Sequence, residues 1–186
     1  MTKQPRNVRI LYGKAGDFVS APIEIERKFV VAMLKTDELA QLEGYTSSEI
    51  DQTYLISEEH VTRRVRARRY GDRTVYTETK KIRIDKSSAY EDERILTEAE
   101  YRSLLSEIAP GTVTLRKTRH TFPYAGRVFE VDVYPEWVRS CILEVELDSR
   151  DAVVEMPEFV SVIAEVTGEK RYSNAEMSRE FPEELI

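Results

Sequence analysis

Charge in this chain is sorted by segment, and that sorting narrows what it can fold into. Between Val61 and Tyr70, arginines stand at alternate positions: Arg64, Arg66 and Arg68. Lys80 follows in the next segment, and Lys117 and Arg119 alternate further on, with Arg116 on the opposite parity. Other segments alternate acids: Glu24 and Glu26, Glu91 and Glu93, Glu130 and Asp132, Glu144 and Glu146. Period-two alternation is the mark of a β-strand with two unlike faces. A solvated sheet face mixes its signs, because like charges side by side repel. Exposed ion pairs contribute only about 0–1 kcal/mol each, too little to account for whole strands lined with one sign. Strands of acids facing strands of bases fit a polar interior built around a polyanion and metal cations. Carboxylates would hold the cations, and Arg and Lys the phosphate oxygens.

At 186 residues the chain suits one domain with a real core. Charged residues are 33% of it, against about 25% in an average domain, and hydrophobic residues are 41%. The net charge of −6 argues against a nucleic-acid polymer as partner, which needs a basic face. It leaves room for a small phosphorylated ligand held by a local basic cluster. The single cysteine, Cys141, allows no internal disulfide and fits a reducing compartment. No apolar run approaches a membrane span, and the N-terminus lacks the apolar core of a secretory signal. The expectation is a cytoplasmic protein with no membrane partner, monomer or homodimer.

The pattern predicts strands over 23–31, 50–57, 61–70, 74–84, 90–96, 113–122, 127–134 and 141–148. Short helices are expected at 36–42, ended near Gly44, and at 149–156. Two capping boxes, Thr97–Glu100 and Ser173–Glu176, should open helices, the first closed by Pro110-Gly111. Many strands with few helices give an α+β domain on an antiparallel sheet or barrel. Residues 1–21 read as an N-terminal extension, and 22–186 as the domain.

The motifs also carry a resemblance. Glu24, Glu26 and Lys28 form a Glu-x-Glu-x-Lys signature on the first strand. It is followed in order by Gln52-Thr53-Tyr54-Leu55, Arg64-Val65-Arg66, Thr77-Glu78-Thr79-Lys80 and Glu91-Asp92-Glu93. Lys117-Thr118-Arg119, Phe129–Val133, Leu143–Glu146 and Glu169–Asn174 complete the set. Over about residues 23–178 this resembles the CYTH superfamily, the triphosphate tunnel metalloenzymes. The resemblance implies an antiparallel eight-stranded β-barrel with flanking helices, forming a triphosphate tunnel. It implies Mg²⁺ or Mn²⁺ held by Glu24, Glu26, Asp132, Glu144 and Glu146. It implies a triphosphate gripped by Lys28, Arg64, Arg66, Lys80, Arg119, Lys170 and Arg171. Hard oxygen ligands suit these cations better than zinc.

Two residues are candidates for the chemistry itself. Lys117 has cationic neighbours in sequence, which disfavour its charged form. With Tyr54 opposite it would form a water-activating dyad, and simple phosphate binding by Lys117 is an equal alternative. Glu91 and Glu93 are read as orienting nearby bases rather than ligating metal, and Glu130 as pairing with a base. Arg68, Arg69 and Arg83 are read as ordinary surface charges, His60 and His120 as peripheral, Trp137 and Phe159 as core or rim. Compact chains with Ile-Glu-Arg-Lys-Phe on the first strand look most like inorganic triphosphatases, which makes hydrolysis of tripolyphosphate the first expectation. Adenylate cyclase, thiamine triphosphatase and a non-catalytic triphosphate-binding module are the alternatives.

Overall fold

A computed structural model of the chain describes residues 23–85, 88–149 and 151–185. The expected N-terminal extension, 1–21, lies outside the described residues. Nine strands dominate: β1 (Ile23–Ala32), β2 (Thr46–Leu55), β3 (Val61–Tyr70), β4 (Arg73–Arg83), β5 (Ser88–Leu96), β6 (Leu115–Tyr124), β7 (Arg127–Val133), β8 (Ser140–Glu146) and β9 (Val162–Glu165). Three short helices accompany them, α1 (Thr36–Leu39), α2 (Glu98–Leu104) and α3 (Asn174–Met177). No helix among the described residues is long and apolar enough to cross a membrane.

The strands lie in the order β5-β4-β3-β2-β6-β7-β8-β1-β9, every pairing antiparallel. β5 also pairs with the start of β1, Ile23 opposite Tyr90 and Ile25 opposite Ser88. This short seam returns the order to its beginning, so β1 to β8 form a ring and β9 stands outside it. One edge of β1 is therefore shared, its first residues with β5 and Phe29–Val31 with β9. Between the two, the Lys28 backbone is met by Val166 N–H at 2.9 Å and by the Thr167 hydroxyl at 3.0 Å. The eight expected strands are all present, and β9 is an addition.

Residues directly opposite in an antiparallel pair share a face, so the register sorts the side chains. Phe29 and Val31 of β1 share the outer face with Phe122, Phe129, Val131, Leu143 and Val145, in one buried cluster with Leu39 of α1. On the opposite wall, Val65, Ala67 and Leu96 pack with Tyr101 of α2, whose ring lies 4.9 Å from that of Tyr76. The apolar faces of the ring thus point outward, under helices and loops. Burial of each large apolar side chain contributes about 1.5–3 kcal/mol. Apolar residues of the inner face, Val30, Tyr54, Leu115 and Ile142, join Tyr134, Trp137, Tyr172 and Met177 in a further core. The rest of the inner face is polar.

Among the described residues of 149–156 the expected helix does not form. Ala152, Val154 and Met156 alternate and pack against the outer core, a period that suits an extended segment rather than a helix. The Thr36 helix lasts one turn, and the chain then turns to Gly44 at φ 75°. A side chain at Gly44 would also meet Pro123 Cγ at 3.0 Å. The Thr97 capping box is complete, with Oγ1 accepting from Glu100 N and Glu100 accepting in return. Ser173 caps α3 by accepting from Glu176 N.

Candidate functional site

The inner face opens on a cavity of about 1670 Å³. Glu26 and Lys28 of β1, Tyr54 of β2, Arg64, Arg66 and Arg68 of β3, Arg119 of β6, Glu130 of β7, and Glu144 and Glu146 of β8 all line it. Lys80, Lys81, Glu91 and Glu93 add to the same wall, and the segment Val166–Lys170 with Ser173–Glu176 lies over it. The ring therefore gathers residues more than a hundred positions apart, because each strand delivers its alternate side chains inward.

On the wall formed by β1, β6, β7 and β8, opposite charges interlock. Lys117 Nζ lies 2.5 Å from Asp132 Oδ2. Arg119 bridges Asp132 at 2.6 Å, Glu144 at 2.7 Å and also Glu130. Glu144 in turn accepts from Lys28 at 2.7 Å. Burial penalises every one of these ions, and the pairing offsets the penalty. Burial would push the Glu144 and Asp132 carboxyls up, yet Lys28, Arg119 and Lys117 hold both below the usual carboxylate range. Lys28 is held above the ordinary lysine value, with Glu144 and Glu26 outweighing burial. Lys117 goes the other way: burial pushes it down to about 8, with Arg119 adding to the effect and Asp132 opposing it.

Two poles of this interior lack such compensation. Glu146 stands opposite Glu26 in the β1–β8 register. Burial raises its carboxyl, and the charges of Glu130 and Glu26 raise it further. On the other wall, Arg64 and Lys81 share Glu91, at 3.4 and 2.5 Å. Glu93 accepts from the Thr79 hydroxyl at 2.9 Å. Arg66 meets only the Gln52 amide oxygen, at 3.2–3.3 Å. Burial, with Arg64 and Arg119 nearby, lowers Arg66 to about 10. Arg68 donates to the buried Ser48 hydroxyl at 2.8 Å and sits over the Tyr70 ring. Among the described residues neither Arg66 nor Arg68 has a carboxylate within ion-pair distance.

The expected site residues fall into place unevenly. Glu26 and Glu146 face the cavity as candidate cation ligands, whereas Asp132 and Glu144 are occupied by Lys117, Arg119 and Lys28. The Glu24 side chain lies outside the described residues. Lys170 lines the cavity, but Arg171 is exposed, paired with Glu169 at 3.1 Å, because the tight turn Lys170–Tyr172 sends neighbouring side chains apart. In the β3–β4 register Lys80 stands opposite Arg63, and Lys81 opposite Thr62. The lysine on the face of Arg64 and Glu91 is thus Lys81, and Lys80 reaches the cavity from its exposed margin. The Lys117–Tyr54 dyad is not formed. Lys117 stands opposite Ile50, four residues (roughly 13 Å of strand) from Tyr54, and takes the nearest carboxylate. The Tyr54 hydroxyl accepts from Gln52 at 2.9 Å instead.

Glu91 orients Arg64 and Lys81, and Glu130 pairs with Arg119. Arg69 pairs on the outside with Glu49 and Asp51. Arg68, read from sequence as a surface charge, lines the cavity, as does His60 from an exposed turn at φ 67°. His120 is buried rather than peripheral, bonded to the Tyr45 hydroxyl at 2.7 Å. The side chain of Arg83 lies outside the described residues. Parity alone would have found Arg68, two positions beyond Arg66; Lys81 needed the register.

The donor chemistry at Glu26 and Glu146 fits a hard divalent cation, since Glu146 is raised by like charges that a cation would offset. Among the described residues, no three carboxylate, histidine or cysteine side chains are already drawn to metal-holding distances.

No family model matches the chain, and no curated protein matches it in sequence. Solved structures do match. The crystal structure of the inorganic triphosphatase NE1496 superposes with a TM-score of 0.55 at 26% identity, covering 86% of this chain and 97% of that one. A second structure of NE1496, described as a hypothetical protein, gives 0.54 at 27%, covering 86% and 99%. The PH1819 protein from Pyrococcus horikoshii OT3 shares the fold, with a TM-score of 0.52 at 19% identity over 69% of this chain and 80% of its own. The nine-stranded antiparallel sheet has the fold of these triphosphate-tunnel neighbours. The chain shares its fold with these structures, as the sequence resemblance to the CYTH superfamily implied.

Proposed function

We infer that this protein is a metal-dependent hydrolase of a compound carrying a triphosphate, with inorganic tripolyphosphate as its first substrate. The observation that carries the reading is Arg66, a half-buried guanidinium lining the cavity, with no carboxylate within ion-pair distance among the described residues and a pKa lowered to about 10. A polyanion supplies the charge that this wall lacks. NE1496, similar along nearly its whole length, is described as an inorganic triphosphatase, which supports the same class of substrate.

Phosphoryl transfer needs positioning and neutralisation of charge more than covalent chemistry. Arg64, Arg66 and Lys81 on one wall, with Lys28 and Arg119 on the other, would grip the phosphate oxygens. Lys170 and Lys80 would close on them from the margin. Glu26 and Glu146 would hold the cation, which when bound neutralises phosphate oxygens and orients water. The arginines would then meet charge gathering on the departing pyrophosphate. Lys117 lies deeper, keeping Asp132 turned toward Arg119.

Product analysis tests the reading: purified protein with Mg²⁺ or Mn²⁺ is offered tripolyphosphate and ATP separately. Orthophosphate released rapidly from tripolyphosphate, with ATP largely spared, is the expected result. Cyclic AMP and pyrophosphate from ATP would replace hydrolysis by cyclisation, and turnover of neither would overturn the enzyme reading for these substrates.

A further inference from the structure

Arg64, Arg66 and Arg68 occupy alternate positions of β3, so their side chains share the inner face at intervals of roughly 6.7 Å. Their partners differ in a regular way. Arg64 has Glu91 at 3.4 Å, Arg66 has the neutral Gln52, and Arg68 has the neutral Ser48 hydroxyl. Ser48 is buried, and its bond to Arg68 Nε leaves the terminal nitrogens of the guanidinium without a hydrogen-bond partner among the described residues. The Tyr70 ring, 5.0 Å away, supports the guanidinium from the side and limits its swing. Arg68 is thus a cation held in place on the cavity wall, one step past the two arginines that serve the triphosphate reading.

Space does not limit this end of the site. A cavity of about 1670 Å³ exceeds the roughly 300–1,000 Å³ usual for a small-molecule site. Coulomb attraction from a cation with no carboxylate partner, beside Arg66 in the same condition, favours a substrate whose negative charge continues along the row.

Building on the triphosphate reading, we propose that Arg68, steadied by Ser48, forms a further phosphate subsite, and that the cavity also binds linear polyphosphates of more than three phosphates, the extra phosphate adding affinity beyond that for tripolyphosphate. The subsite binds an additional phosphoryl group of the same chain and makes no bond to the reacting phosphorus.

Calorimetric titration with tripolyphosphate, tetrapolyphosphate and a longer linear polyphosphate tests the proposal. Wild-type protein should bind the longer chains more tightly than tripolyphosphate. Arg68→Gln should reduce affinity for them about tenfold or more, the scale of one charge-assisted hydrogen bond, with tripolyphosphate affinity little changed. Ser48→Ala should shift the same preference by a smaller factor. Arg69→Gln, on the outer face, should leave it intact. Equal affinity of the wild-type protein for all chain lengths, or an Arg68→Gln variant that loses tripolyphosphate binding to the same degree, overturns the subsite while leaving the triphosphate reading standing. Binding of none of the three overturns both. Circular dichroism of each variant separates lost binding from lost folding.

Discussion

At the scale of single residues, the most informative charged group outside the cavity is Glu78. It is 3% exposed, accepting from Arg63 at 2.5 Å and from Arg94 at 2.6 Å. Burial alone would raise its carboxyl, but the two arginines outweigh that and hold it below the ordinary value. A depressed carboxylate stabilises the fold fully above its unfolded pKa, roughly 4.3, and that contribution is lost as pH falls through the folded value. Glu78→Gln should therefore unfold more easily at pH 7, by about 1–2 kcal/mol, and show a shallower loss of stability on acidification. Urea denaturation at several pH values measures both; an unchanged acid slope would mean that Glu78 is not the group responsible. Cys141 is inert by comparison, a buried strand residue whose thiol is pushed up to about 11 by burial.

Among the elements, α2 shows how local sequence and packing agree. Thr97 and Glu100 satisfy one another's backbone donors, and Tyr101 then docks on the outer wall. Thr97→Ala should cost about 1 kcal/mol, a fall in Tm of roughly 2–4 °C for a chain of this size, with substrate affinity unchanged. A melting temperature equal to wild type would show that packing of Tyr101 alone fixes the helix. The same agreement made β3 legible with the bounds it has in the fold, since its alternation runs its full length. β9 was not legible. Its four residues have no clean alternation, and they become a strand by pairing with the outer half of β1. Arg27 fastens that pairing through a twofold bond to Glu165, at 2.9 and 2.6 Å.

For the molecule as a whole, the interior holds an acidic and a basic pole that the described residues compensate only in part. At the acidic pole, Glu146 is raised by burial, Glu130 and Glu26. Mg²⁺ or Mn²⁺ should raise the melting temperature of the wild-type protein, because a ligand that binds the folded state stabilises it by mass action. Glu146→Gln should be slightly more stable than wild type without metal, through relief of like-charge repulsion, and should lose most of the response to cation. A full response in that variant would move the cation to carboxylates other than Glu146. At the basic pole, Arg66 and Arg68 have no carboxylate within ion-pair distance among the described residues, so under the proposed function cation and polyanion should each bind where the fold is least compensated.

The sequence by itself determined that alternate charges would line an interior, and which strands would be acidic and which basic, and from these the class of ligand proposed. Those conclusions rest on side-chain period, which is local and survives any arrangement of the strands. Only the tertiary structure decided that Lys81 rather than Lys80 faces Glu91, that Lys117 meets Asp132 instead of Tyr54, and that Arg68 belongs to the cavity. Each depends on register between strands, and a shift of one residue exchanges the two faces. Pairing within the interior depends likewise on which carboxylate lies nearest across the ring, a distance that no single strand contains.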